Sequence, residues 1–146
     1  MGAKDFRRAP RHAGRGFTLL ELMVVLLILG LLASIAAPRV VKYLRKAKTE
    51  TARIQVDALG AAVDSFNLDN GRFPTSDEGL EALMKAPAGL TSWDGPYLKK
   101  KDSLIDPWGK PYLYRQPGQQ GDFDVYTLGS DQRDGGTGDA RDLGNQ

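Results

Sequence analysis

The sequence predicts an α+β protein, one long N-terminal helix packed on a small antiparallel β-sheet. Three observations predict it. Residues 17–38 form an apolar run broken by one carboxylate, Glu21, and about 20 such residues at ~1.5 Å each cross a ~30 Å hydrocarbon layer. Ala52, Val56, Leu59, Val63 and Phe66 then recur at steps of four and three, the stripe of an amphipathic helix. Residues 111–115 and 123–128 are aromatic and β-branched, which fits two short strands joined through Pro117-Gly118-Gln119-Gln120-Gly121.

The elements follow in chain order. Residues 1–16 carry Lys4, Arg7, Arg8, Arg11 and Arg15 against Asp5. A basic flank of this kind stays in the cytoplasm and directs the rest of the chain outward. Basic then apolar is also the order of an ordinary secretory signal, with small residues for cleavage around Ser34-Ile35-Ala36. Cleavage after Ala37 would leave Pro38 first, which is unfavourable. Arg7-Arg8 matches a twin-arginine export signal only as a dipeptide. Within the run, a carboxylate at a helix centre in lipid costs about 2.5–3.5 kcal/mol. Glu21 lies near the entry end, where the cost is smaller, and either snorkels to headgroups or meets a partner.

Pro38 removes one helical hydrogen bond. The helical pattern resumes beyond it, so a kink or local melting is expected there, not a stop. Arg39, Lys42, Arg45, Lys46 and Lys48 follow, as a solvated face or as a contact with acidic headgroups or acidic neighbours. The helix is expected to reach about Leu68, where Asp69-Asn70-Gly71 supplies a turn and a glycine tolerant of left-handed backbone. Thr75 and Glu78 then fit a capping box opening a short helix with Leu80, Leu83 and Met84 buried, ended by Pro87 and Gly89. Residues 91–101 read as a loop anchored by Trp93 and Tyr97, or as a binding surface. Asp106-Pro107-Trp108-Gly109 has Pro and Gly where a β-turn wants them. One face of the sheet that follows, through Tyr112 and Tyr114 or Phe123 and Val125, is expected to meet the helical stripe.

Composition excludes several functions. The chain has 146 residues, net charge +2, no cysteine and one histidine, and supports one compact domain besides the span. His12 lies in the basic leader, so a chain trimmed of it would hold neither His nor Cys. That excludes His- or Cys-based catalysis and argues against a transition-metal site. No phosphate-binding loop is present, and the basic leader is not a nucleic-acid footprint. A hydrolase using carboxylates alone would need a marked pair, and none stands out.

Six aspartates lie between Asp122 and Asp142, against Arg133 and Arg141. Asp with Gly suits Ca²⁺, a hard cation taking six to eight oxygens. The spacing is not that of an EF-hand, and chemistry alone favours a disordered acidic tail.

Gly16-Phe17-Thr18-Leu19-Leu20-Glu21, between a basic leader and a long apolar run, resembles a type IV prepilin processing site. Asn70-Gly71-Arg72-Phe73-Pro74-Thr75, Glu78-Gly79-Leu80-Glu81-Ala82-Leu83, Asp106-Pro107-Trp108-Gly109-Lys110-Pro111-Tyr112 and Leu128-Gly129-Ser130-Asp131 follow in order. Together they resemble the major pseudopilins of type II secretion systems, over nearly the whole chain from Gly16. The resemblance implies a type IV pilin-like fold and three parts: a cleaved leader over 1–16, a transmembrane and polymerisation helix over 17–38, and a periplasmic domain over 39–146. In that domain the helix continues to about residue 68, loops and a short helix fill 69–105, and the sheet with a calcium-binding loop fills 106–146.

It also implies cleavage between Gly16 and Phe17 by a prepilin peptidase that N-methylates Phe17. Glu21 of an incoming subunit would pair with the Phe17 amine of a neighbour, so that only one stagger leaves no unpaired buried charge. The implied product is a filament of this chain with itself, with minor pseudopilins at its tip, built on an inner-membrane assembly platform and driving folded proteins across the outer membrane. The subunit would be non-enzymatic and single-pass in the bacterial inner membrane. One Ca²⁺ would be held by Asp131, Asp142 and the Leu128 carbonyl, with Ser130 and Asp139 as further candidates. Departures from the family pattern are Gln132, where glycine is common, and the lack of an aromatic near Gln146; the third carboxylate stays open. The alternative is a type IV pilin of a surface filament, many of which close the last loop with a disulfide that this chain cannot form.

Overall fold

The computed structural model describes residues 16–145. The leader up to Arg15, with His12 and Arg7-Arg8, and Gln146 lie outside the described residues. The chain divides into two compact units, with the boundary between Val40 and Val41.

Helix α1 runs Leu19–Asn70. In the first unit every described residue is exposed, Leu20, Leu26 and Leu31 among them. A helix apolar on all sides is stable only in an apolar surrounding, and this unit supplies none of its own. α1 continues unbroken through Pro38, so the backbone does not melt there.

In the second unit the stripe is buried as its spacing predicts. Ala52, Val56, Leu59, Val63 and Phe66 are each at most 1% exposed, and the large ones gain about 1.5–3 kcal/mol apiece from burial. Leu80, Leu83, Leu104, Tyr112 and Val125 close the core around them. Gly71 stops the helix, with φ +66° and its N–H donating to the Asn67 carbonyl at 2.8 Å; a side chain would be strained in that left-handed conformation.

The capping box forms reciprocally. Thr75 N–H donates to the Glu78 carboxylate at 2.8 Å and Glu78 N–H to the Thr75 hydroxyl at 3.2 Å. The segment it opens is a 3-10 helix over Gly79–Leu83, not an α-helix. Arg72 also claims Glu78, with two bonds of 2.7 and 2.8 Å, and holds its carboxyl below the usual range. Trp93 and Tyr97 anchor the following loop as expected. The indole donates to the Ala82 carbonyl at 2.9 Å and the phenol to Asp69 at 2.8 Å, and Tyr97 packs edge-on against Phe66.

The sheet has three strands in the order β1-β2-β3, all antiparallel: β1 Leu113–Arg115, β2 Asp124–Thr127 and β3 Leu143–Gly144. Tyr114 lies opposite Val125, on the core side with Tyr112, so the expected face meets the stripe. Arg115 lies opposite Asp124 on the other face, and the two form an ion pair. The turn at 106–109 forms, with Gly109 N–H donating to the Asp106 carbonyl at 2.9 Å. Its Asp106 side chain is buried and satisfied: it accepts from Trp108 and Lys110 N–H at 3.0 and 2.8 Å, and from the Thr127 hydroxyl at 2.6 Å. A buried carboxylate needs such partners, and these lock the turn to the end of β2.

The acidic end is not a disordered tail. After residues 128–142 the chain returns as β3, Leu143 pairing with Thr127, and Asn145 exchanges bonds of 3.1 and 2.8 Å with the Val125 backbone. Two residues of strand are too short for any periodicity to announce, and Leu143 is its one large apolar residue, buried beside the core.

Candidate functional site

Two regions carry the residues that the sequence singled out. The first opens α1. Gly16, Phe17 and Thr18 precede the helix, and Phe17 is 77% exposed, so the peptide bond between Gly16 and Phe17 lies outside regular structure. The Thr18 hydroxyl accepts from Glu21 N–H at 3.1 Å and the Thr18 carbonyl from Leu22 N–H at 3.2 Å. Thr18 is therefore the N-cap, a role the sequence reading passed over although Thr followed three residues later by Glu is itself a capping signal. Glu21 sits in the first turn, where the positive end of the helix dipole favours a carboxylate.

The second region joins β2 to β3. Gly129, at φ +68°, turns the chain out of β2, and a Cβ there would lie 2.9 Å from the Asp139 and Arg141 carbonyl oxygens. The glycine is thus what lets the loop's return pass close by. Ser130 N–H donates to the Asp139 carbonyl at 2.8 Å, which brings the backbones of two candidate residues together. Their side chains do not converge. Asp131 accepts from Arg133 N–H at 3.3 Å. The Asp139 carboxylate lies 3.6 Å from Arg45 Nε on α1. Asp142 accepts from Gly135 N–H at 2.9 Å through Oδ2, while its Oδ1 is buried with no hydrogen-bond partner among the described residues.

No group of three or more Asp, Glu, His or Cys gathered closely enough to hold a metal occurs among the described residues. The orphaned Asp142 oxygen is the feature that fits a hard cation, since a buried carboxylate oxygen without a donor is costly. A polar cavity of about 460 Å³ beside it is lined by Asp134, Asp142, Asp124, Arg115, Tyr126 and Asn145 among others. Asp134, which the sequence did not single out, lines the same cavity as Asp142.

Known proteins resemble this chain in sequence and in fold. Residues 39–146 match the family model described as type II secretion system protein G, and residues 11–37 match the prokaryotic N-terminal methylation motif. The type II secretion system core protein G of Pseudomonas aeruginosa is 45% identical over 140 residues, covering 92% of this chain and 96% of the relative. That of Vibrio cholerae is 44% identical over 133 residues, covering 89% and 90%. The chain belongs to the type II secretion system protein G family. The crystal structure of the major pseudopilin from the type 2 secretion system of enterohaemorrhagic Escherichia coli superposes with a TM-score of 0.55 at 34% identity, over 68% of this chain and 87% of that one. These matches favour a pseudopilin over a type IV pilin.

Membership in the protein G family gives two local features a setting. Among the described residues one helix, α1, is long and apolar enough to cross a membrane, and its N-terminal part overlaps the methylation motif, which ends at residue 37. Gln132, where the resemblance led us to expect glycine, has φ +57° and is the one non-glycine residue with positive φ among the described residues. Its side-chain amide donates to the Gly129 carbonyl, a bond that glycine could not make and that offsets part of the backbone strain.

Proposed function

We infer that this chain is the major structural subunit of a type II secretion pseudopilus. The observation that carries this is a junction: a methylation motif over 11–37 runs directly into a protein G domain over 39–146. The subunit is held in the bacterial inner membrane by residues 17–38, with residues 39–146 in the periplasm. A prepilin peptidase cuts between Gly16 and Phe17 and methylates the new amine. An exposed, non-helical site is what a peptidase can reach.

Copies then leave the lipid and pack their apolar helices against one another, on an inner-membrane platform and beneath minor pseudopilins at the tip. Glu21 sets the stagger by pairing with the Phe17 amine of a neighbour. A carboxylate left unpaired in that apolar stack is penalised. Pro38, which removes one helical hydrogen bond, permits a bend during the transfer. The filament pushes folded proteins across the outer membrane. The role is structural, not catalytic.

Ca²⁺ belongs to this reading. Asp142, Asp131 and the Leu128 carbonyl would hold it, with Ser130 at the same turn and Asp139 drawn instead toward Arg45. The ion supplies positive charge to a loop that otherwise repels itself, and cross-links a domain without disulfides.

The test is Glu21→Ala in the full chain. The variant is expected to insert in membranes and to be processed, with an intact mass that begins at methylated Phe17, yet to fail in filament assembly. Normal filaments from it would remove Glu21 from the mechanism, and a mature mass beginning at Ala37 would make the chain an ordinary exported protein.

A further inference from the structure

Helix α1 carries a second polarity just beyond its apolar run. Residues 41–49 hold Lys42, Arg45, Lys46 and Lys48 and no acid; Arg39 precedes them in sequence and Glu50 is the next carboxylate. All four bases are exposed. At about 100° per residue they fall within one half of the helix surface, while Tyr43, Leu44 and Ala47 fall within the other; Val41 sits among the bases. Tyr43 and Leu44 are 74% and 59% exposed, so the chain's own domain does not cover them. Arg45 meets Asp139 at 3.6 Å, and Lys42, Lys46 and Lys48 have no ion-pair partner among the described residues.

Bases on one side and an aromatic with aliphatics on the other is the pattern of a helix seated at the headgroup boundary of a membrane. Tyrosine is enriched at that depth. The bases are also on the wrong side for a topology signal. Residues 1–16 already carry the flank that orients the span, and positive charge beyond Pro38 opposes it. Something else must favour it. A second copy of this chain would bring the same four bases and no acid within the segment. An anionic lipid surface offers negative phosphates along its whole extent, and each added Lys or Arg strengthens the attraction.

We propose that residues 41–48 are an interfacial anchor, with Tyr43, Leu44 and Ala47 at the acyl boundary and Lys42, Lys46 and Lys48 on the phosphates of anionic phospholipids, while Arg45 keeps its pairing with Asp139. The assignment rests on residues 17–38 being a membrane span. It gives the stored subunit a lipid-dependent hold that polymerisation has to release.

The full chain is reconstituted in nanodiscs of phosphatidylcholine alone or mixed with phosphatidylglycerol, and insertion is checked first by resistance to alkaline extraction. Amide hydrogen exchange over 41–48 is expected to slow at least about threefold with phosphatidylglycerol. High salt should cancel the effect by screening, and so should the combined K42Q/K46Q/K48Q variant, whose changes are at exposed positions without an ion-pair partner among the described residues. Equal exchange in the two lipids overturns the proposal. Protection that appears only as copies per disc increase also overturns it, and gives the face to a second copy. A chain extracted from both kinds of disc defeats the span reading, and this one with it.

Discussion

Residues 19–40 of α1 expose Leu, Ile and Val over their whole circumference, whereas residues 52–66 of the same helix bury one stripe and leave the other faces to solvent. The backbone is alike in both stretches. What differs is where the apolar surface goes. The first stretch needs an apolar surrounding that it does not carry. The second makes its own surrounding, because the chain returns through Leu83, Tyr112 and Val125 to cover it. One helix therefore holds a part specified by composition alone and a part specified by contacts distant in sequence. Substitutions should separate the two.

The sharpest separation is Phe66→Ala. Phe66 is fully buried, and its truncation is expected to cost about 3–5 kcal/mol in the folded domain. Urea unfolding followed through Trp93 and Trp108 reads the loss, and membrane insertion should not change. Failure of insertion would mean that the two stretches are not independent. Calcium tests the same boundary from the other end of the domain. An ion binding only the folded loop, at about a hundredfold over its dissociation constant, adds about 2.7 kcal/mol. Asp142→Asn should abolish that increment. An unmodified chain indifferent to Ca²⁺ would remove the ion from the account.

Gln132 refines the comparison within the loop. Relief of left-handed strain is worth about 1–2 kcal/mol, so Gln132→Gly should be more stable than Gln132→Ala by about that amount. Both variants lose the bond to the Gly129 carbonyl, so the difference isolates the backbone. Equal stabilities would show that φ at this position is unstrained. The smallest expected effect is on acid stability. Arg72 and the Thr75 N–H hold Glu78 low. Burial pushes Asp124 up, but the Gln119 N–H and Arg115 outweigh it and its net shift is also downward. A carboxyl lowered by folding contributes stability above its unfolded value, near pH 4, and loses it as pH falls through the lowered one. The urea midpoint should therefore decline below about pH 5, and Glu78→Gln should shallow that decline without touching insertion.

The methylation motif was legible because its signals are contiguous: a basic flank, Gly16-Phe17, one carboxylate and an apolar run. The helical stripe, the capping box at Thr75 and Glu78, and the turn at 106–109 were legible for the same reason, each being a pattern within a few residues. The third strand was not. Leu143-Gly144 has no pattern of its own and is a strand only because Thr127 and Tyr126 lie opposite. Asp106 was read as a turn residue, but its burial against Thr127, twenty-one residues on, decides how tightly that turn is held. In the acidic loop the sequence named carboxylates without aiming them. Arg45 engages Asp139, and the Gly135 N–H holds one oxygen of Asp142.

The order of residues alone determined the apolar run, the amphipathic stripe and the turns, since each depends on spacing along one stretch of backbone. Tertiary structure decided which face of the sheet covers the stripe, that the acidic end returns as a strand, and which aspartate is left with an unpartnered oxygen. Those outcomes depend on groups far apart in the chain competing for the same neighbours, and only the folded arrangement settles that competition.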